Sequence, residues 1–162
     1  MIKSMSLQKS IAMAVQADFV IETKDRRLIL VVECKRAKTT SITHAARWRR
    51  NFVAHGLDSA VPYFLLAFPT EIFLWHANQD IDAPPDFTAP AKPVLKRYLG
   101  PIADQPGGPL EESLEIAFST WLSDLANGIR QPDTNSEADQ MLVVSGLLAR
   151  IKDGVLRTQV AL

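Results

Sequence analysis

Period-two alternation opens the readable pattern of this chain. Residues 17–23, ADFVIET, alternate apolar and polar positions as a half-buried strand does. TKDRR follows, a turn by composition. LILVVECK, residues 28–35, is apolar on both faces and predicts a second, central strand. Upstream, residues 4–15 place Leu7, Ile11 and Ala14 or Val15 on one face of a short helix. Downstream, residues 41–55 predict another helix, with Thr40 or Ser41 as its cap and Gly56 as its stop. Ala45, Trp48 and Phe52 form the stripe expected to be buried, and Arg47 and Arg50 point elsewhere. Two further strands, 61–68 and 71–77, flank a Pro69-Thr70 turn.

The pattern then changes. Seven of the ten prolines fall in residues 84–109, which predicts an extended connector. Helical spacing returns over 110–127, with Leu110, Leu114, Ala117, Phe118, Trp121, Leu122 and Leu125 in register. Glu111 and Glu112 suit the positive N-terminal end of that helix, and Gly128 its stop. Ser136 with Asp139 resembles a capping box ahead of a last helix reaching about Lys152. The tail VLRTQVAL is either a strand or a loose end. The expected organisation is an α/β core over 1–80, a Pro-rich connector over 81–109, and a helical extension over 110–162 packed on the core. No internal repeat is visible.

Composition narrows the class without naming a function. A chain of 162 residues, 47% hydrophobic and 22% charged, is long enough for one real core. No apolar run reaches the roughly 18 residues of a membrane span. The basic start and short, Gln-broken apolar patch do not make a signal peptide. A single cysteine excludes an internal disulfide framework and suits a reducing cytoplasm. The net charge is zero but uneven. Residues 1–60 hold 11 Lys+Arg and 5 Asp+Glu, or +6, and residues 61–162 hold 7 and 13, or −6. A basic first part is compatible with an anionic partner such as nucleic acid, and equally with ordinary solvated charges.

The chemically unusual stretch is VVECKRAK, residues 31–38, where a hydrophobic strand ends on Glu33 and Lys35. Strand interiors disfavour both residue types, and buried charges are rare unless paired. Alternation puts Leu30, Val32 and Cys34 on one face and Ile29, Val31, Glu33 and Lys35 on the other. A turn centred near Asp25-Arg26 sets positions summing to 51 opposite each other, so Asp18 faces Glu33. Two carboxylates at about 4 Å repel by roughly 4 kcal/mol at an effective dielectric of 20. Lys35 supplies part of the compensating charge, and a hard divalent ion held by oxygen would supply more. The plain alternative is a Glu33–Lys35 ion pair at an exposed strand end. On this reading Cys34 is a small core residue.

Ala17-Asp18, a tight turn, Glu33-Cys34-Lys35 at the end of an apolar strand and then a helix resemble the PD-(D/E)xK nuclease superfamily. The layout over residues 4–78 is most similar to the N-terminal nuclease domain of type I restriction enzyme motor subunits. The resemblance implies a restriction endonuclease-like fold with a mixed central sheet flanked by helices. It implies Mg²⁺ (or Mn²⁺) bound by Asp18, Glu33 and the backbone carbonyl of Cys34. Lys35 would orient or deprotonate the attacking water. The implied activity is Mg²⁺-dependent cleavage of DNA phosphodiester bonds, in defence against foreign DNA or in repair, by a homodimer or a larger restriction complex. Arg36, Lys38, Arg47 and Arg50 are the expected nucleic-acid contacts. Three departures stand out: Ala17 replaces the proline before the acid; residues 1–17 hold no acid, although many relatives carry a Glu on the first helix; and relatives often place Gln or Lys on the helix after E-x-K, where Arg47 is the nearest candidate. The rival readings are a non-catalytic relative that binds DNA or a protein partner, and an interaction module using the acidic helix at 110–127.

Other residues carry less. His44, His55 and His76 lack metal-ligand spacing. Arg49 joins Arg47 and Arg50 as either a solvated face or a phosphate contact. Trp48, Trp75 and Trp121 are expected in the core. Glu22 shares a face with Asp18 but lies about 13 Å along the strand, near the turn. No G-x-S-x-G, P-loop or G-x-G-x-x-G occurs.

Overall fold

The computed structural model describes residues 16–37 and 41–162. The helix expected over 4–15 and the residue Lys38 lie outside the described residues. Six strands form one mixed sheet: β1 (Gln16–Glu22), β2 (Leu28–Cys34), β3 (Tyr63–Ala67), β4 (Glu71–His76), β5 (Phe87–Pro90) and β6 (Val155–Ala161), in the order β5-β4-β3-β2-β1-β6. Helix α1 (Ile42–Ala54) links β2 to β3, the one parallel pair; every other neighbouring pair is antiparallel. Helices α2 (Lys92–Leu99), α3 (Glu111–Ala126), α4 (Glu137–Val144) and α5 (Leu147–Ile151) follow β5. The α/β class expected from the pattern, and the mixed sheet flanked by helices expected from the resemblance, are both present. No helix among the described residues is long and apolar enough to cross a membrane.

The β1–β2 hairpin is set locally. The Thr23 N–H donates to Arg27 O, the Thr23 carbonyl accepts the Arg26 N–H and its hydroxyl accepts the Arg27 N–H, and Arg26 takes a left-handed conformation with φ 66°. The register runs Phe19↔Val32, Val20↔Val31 and Ile21↔Leu30, all summing to 51, then shifts to Glu22↔Leu28. Ile29 is the extra residue of that bulge. It therefore packs with Leu30 and Val32 rather than on the expected face of Val31.

The sheet buries both faces. On one, Phe19, Leu30, Val32, Cys34, Leu65 and Leu74 meet Leu114, Phe118, Trp121, Leu142 and Ile151 of the C-terminal helices. On the other, Val20, Val31, Phe64, Leu66, Phe73 and Trp75 meet Ala45 and Phe52 of α1. Among the described residues, the C-terminal helices thus cover one face of the sheet and α1 the other.

Several sequence readings change in detail. The expected connector holds β5 and α2, because its prolines sit where a strand edge and a helix first turn accept them. Leu110 precedes the first turn of α3 and is exposed, whereas the rest of the predicted stripe is buried. The last helix divides at Gly146, whose φ of 81° closes α4 before α5 begins. Ser136 caps α4 by accepting the Asp139 N–H. The tail becomes β6 along β1, entered at Gly154, where a Cβ would lie 2.8 Å from Ile21 Cγ2.

Candidate active site

Asp18 lies one step beyond the Phe19↔Val32 pair, where the hairpin register sets it opposite Glu33. Its Oδ2 accepts the main-chain N–H of Cys34 at 2.7 Å, which ties the first acid to the E-x-K segment. Glu33 is buried at 4% exposure. β2 ends at Cys34, but the N–H of Lys35 still donates to Ala67 O at 2.9 Å, so the parallel ladder positions the lysine backbone. Its Nζ lies 3.5 Å from Glu33 Oε1 and 5.0 Å from the centre of the Trp48 ring. The structure therefore brings Asp18, Glu33 and Lys35 together at one end of the central hairpin.

The electrostatics are those of crowded carboxylates. Burial, followed by the hydrogen bond and the charge of Asp18, pushes the Glu33 carboxyl up to about 9; Lys35 opposes this incompletely. Cys34 is fully buried with its side chain in the larger core cluster, and burial holds its thiol well above the usual range. Only its main chain faces the site chemistry.

A fourth residue joins the three. Glu115 is half-buried on the second turn of α3. Burial, then the Asp18 contact and the charges of Glu111 and Glu112, raises its carboxyl to about 7. Sequence reading missed it because 97 residues separate it from Asp18 and its segment reads as an ordinary amphipathic helix. The one available signal was its place one position off the buried stripe.

The arginines divide. Arg47 is exposed on α1 and lines a shallow cleft with His44, Trp48 and Asn51. Arg50 forms an ion pair with Asp82 at 3.4 Å, and Arg36 donates to Gly107 O at 3.1 Å. Arg49 is neither solvated nor open to phosphate. It is 2% exposed, donates to Asn78 O and Asp80 O, and lies over the Trp75 ring. It fills the inward position expected for Trp48, which is only half-buried and flanks Lys35 instead. Glu22 pairs with Arg157 at 3.2 Å, away from the site.

The donors near Asp18 are hard oxygens, the chemistry that Mg²⁺ accepts. Among the described residues, no group of three or more His, Cys, Asp or Glu is arranged to hold a metal ion by itself. Two carboxylates, a main-chain carbonyl and water form the set that fits, since Mg²⁺ is commonly held by one or two carboxylates and keeps several waters. No family model, curated protein or solved structure matches the chain.

Proposed function

We propose that this chain is a Mg²⁺-dependent nuclease of PD-(D/E)xK type that hydrolyses phosphodiester bonds in DNA. The observation that carries the reading is the convergence of Asp18 and Glu33 with the Lys35 ammonium 3.5 Å from Glu33. A purely structural ion pair needs Glu33 and Lys35 alone. It gives no reason for a second carboxylate that, together with burial, pushes the Glu33 carboxyl up to about 9. The topology supports the same reading: the acid-bearing strand pairs antiparallel with the E-x-K strand, which then passes through a helix to a parallel neighbour.

In this reading Asp18, Glu33 and the Cys34 carbonyl would hold the ion. When bound, Mg²⁺ acidifies a water and neutralises charge on the phosphate oxygens. The chain's own residues do the rest. The Cys34 N–H orients Asp18, burial confines Glu33, and the Trp48 face and Glu33 together aim the Lys35 ammonium. That ammonium orients the attacking water by hydrogen bonding and offsets the negative charge that grows on the phosphate in the transition state. Arg47 is the arginine best placed to meet the nucleic-acid backbone, because Arg36 and Arg50 already serve intramolecular partners.

The engagement of those two arginines favours one rival, a non-catalytic relative with a reduced nucleic-acid surface. Cleavage assays on single- and double-stranded DNA and RNA, each with Mg²⁺, Mn²⁺ or EDTA, separate the two. The nuclease reading expects cleavage of DNA that EDTA abolishes and added Mg²⁺ restores. Wild-type protein that neither binds Mn²⁺ nor cuts any substrate would sink it.

A further inference from the structure

We propose that the groove between the β5 edge and helix α4 docks an extended peptide segment of a partner protein, one that carries a lysine or arginine beside an aliphatic side chain. None of the residues assigned to the nuclease site lines this groove, so the proposal stands independently of that reading.

Shape is the first observation. The groove holds about 600 Å³, within the roughly 300–1,000 Å³ of ligand sites. Phe87 and Ala89 of β5 and Met141 and Val144 of α4 give it apolar walls. Val144 is 72% exposed, an aliphatic side chain that the described residues leave uncovered.

The strand edge selects the conformation of the occupant. β5 ends the sheet and has β4 as its one neighbour there. The Ala91 N–H donates to Thr70 O, so alternation turns the main chain of Ala89 and Phe87 toward β4 and that of Thr88 and Pro90 away from it. Thr88 therefore presents an N–H and a C=O on the free side, and Pro90 a C=O alone. An extended peptide laid along this edge gains main-chain hydrogen bonds and sets alternate side chains against the apolar walls. A helical partner, whose main-chain groups already pair internally, would gain none of those bonds.

Charge selects its side chains. Glu71 and Glu137 line the groove, and no Lys, Arg or His does. Neither glutamate is in an ion pair among the described residues. A cationic side chain in the occupant compensates them. The same features argue against a second copy of this chain. Two β5 edges paired about a two-fold axis would bring the glutamates of both copies together and put Pro90, which has no N–H to give, into the new ladder.

The test uses the intact chain and an array of short synthetic peptides in which Lys, Arg, Glu or Ser stands beside Val, Leu or Ile. Wild type should retain the Lys and Arg peptides over the Glu and Ser ones. Fluorescence polarisation with the best Lys peptide then ranks the variants. Thr88→Pro removes the free N–H but none of the bonds to β4, and should weaken binding about tenfold, the worth of about one hydrogen bond. Thr88→Val, which keeps the N–H, should match wild type, and Val144→Asp should weaken binding at least as much as Thr88→Pro. Glu71→Lys combined with Glu137→Lys should shift the preference to Glu peptides. Thermal unfolding is measured for each variant; where Thr88→Pro melts early, the paired glutamate exchange decides. Wild type that retains no peptide, or retains all classes alike, overturns the proposal. So does binding that the glutamate exchange leaves unchanged. A concentration-dependent dimer in sedimentation that Thr88→Pro disperses would assign the edge to a second copy and also overturn it.

Discussion

Replacing Lys35 with methionine removes one charge and keeps most of the side chain's contact with Trp48. The structure allows its effects on stability and on catalysis to be separated. At the observed 3.5 Å, an ionised Glu33–Lys35 pair at an effective dielectric of 20 is worth about 5 kcal/mol. That figure is an upper bound here for two reasons. Lys35 keeps 28% of its side-chain surface exposed, so solvent screens it. Burial and Asp18 also push the Glu33 carboxyl up to about 9, so in the metal-free protein it keeps its proton through neutral pH. The contact is then closer to one hydrogen bond, about 1 kcal/mol. Lys35→Met should lower the melting temperature of the metal-free protein by only about 2–4 °C. Under the proposed nuclease function, cleavage should fall far more, by a factor of about 100–1,000, because the lost ammonium would act on charge that develops in the transition state. Mn²⁺ affinity should hold or rise, since a competing cation has gone. The assays are single-turnover cleavage at saturating metal, calorimetric Mn²⁺ titration and thermal unfolding, on wild type and variant together. A variant that cuts within about threefold of the wild-type rate would refute the assigned role of Lys35.

Asp18→Asn should keep the fold, because an amide oxygen can still accept the Cys34 N–H, and should weaken Mn²⁺ binding by replacing a charged ligand with a neutral one; unchanged affinity would remove Asp18 from the ligand set. Cys34 has no exposed surface and a thiol raised by burial, so thiol reagents should label it only as fast as the protein opens. Immediate labelling would show that β2 presents the wrong face to the site. Asp139, 2% exposed, accepts hydrogen bonds from Trp121 Nε1 at 2.8 Å, Arg130 Nη1 at 2.7 Å and the Asp133 N–H at 2.9 Å, and so fastens α4 to α3. Asp139→Ala should cost about 3–5 kcal/mol at neutral pH, since it leaves Arg130 without its buried partner. Burial raises the Asp139 carboxyl, but those bonds and the Arg130 charge outweigh it, and the net shift is below the usual 3.8. Its contribution is therefore complete above about pH 4 and fades as pH falls through the lower folded-state value. Denaturant unfolding at pH 7, 4 and 2.5 should show the gap between wild type and Asp139→Ala narrowing only at the most acid point; a gap unchanged at pH 2.5 would contradict the assignment.

Local order made much of the hairpin legible. A short turn and strict alternation leave one register that buries Phe19, Val20, Val31 and Val32, and that register sets Asp18 opposite Glu33. The same locality revealed the Ser136 cap and the buried stripe of α3, which depend on residues three or four apart. Side-chain identity alone could not sort the arginines of α1. Helical phase places Arg49 inward, but only the carbonyls of Asn78 and Asp80 and the face of Trp75 make that position tolerable for a guanidinium. The prolines of 84–109 predict a connector because proline frequency reports backbone restriction and not sheet position; β5 and α2 form where an edge and a first turn need no N–H at those sites.

By itself, then, the sequence determined the periodic elements, the pairing of β1 with β2 and the meeting of an acid with E-x-K, because each follows from side-chain alternation and a closure of a few residues. The tertiary structure alone decided that β6 returns to β1, that Arg36 is tied to Gly107, and that Glu115 arrives beside Asp18 from 97 residues away. Those contacts depend on how whole apolar faces stack on the sheet. That stacking is selected by the shape and volume of the complete core, which no short window of residues encodes.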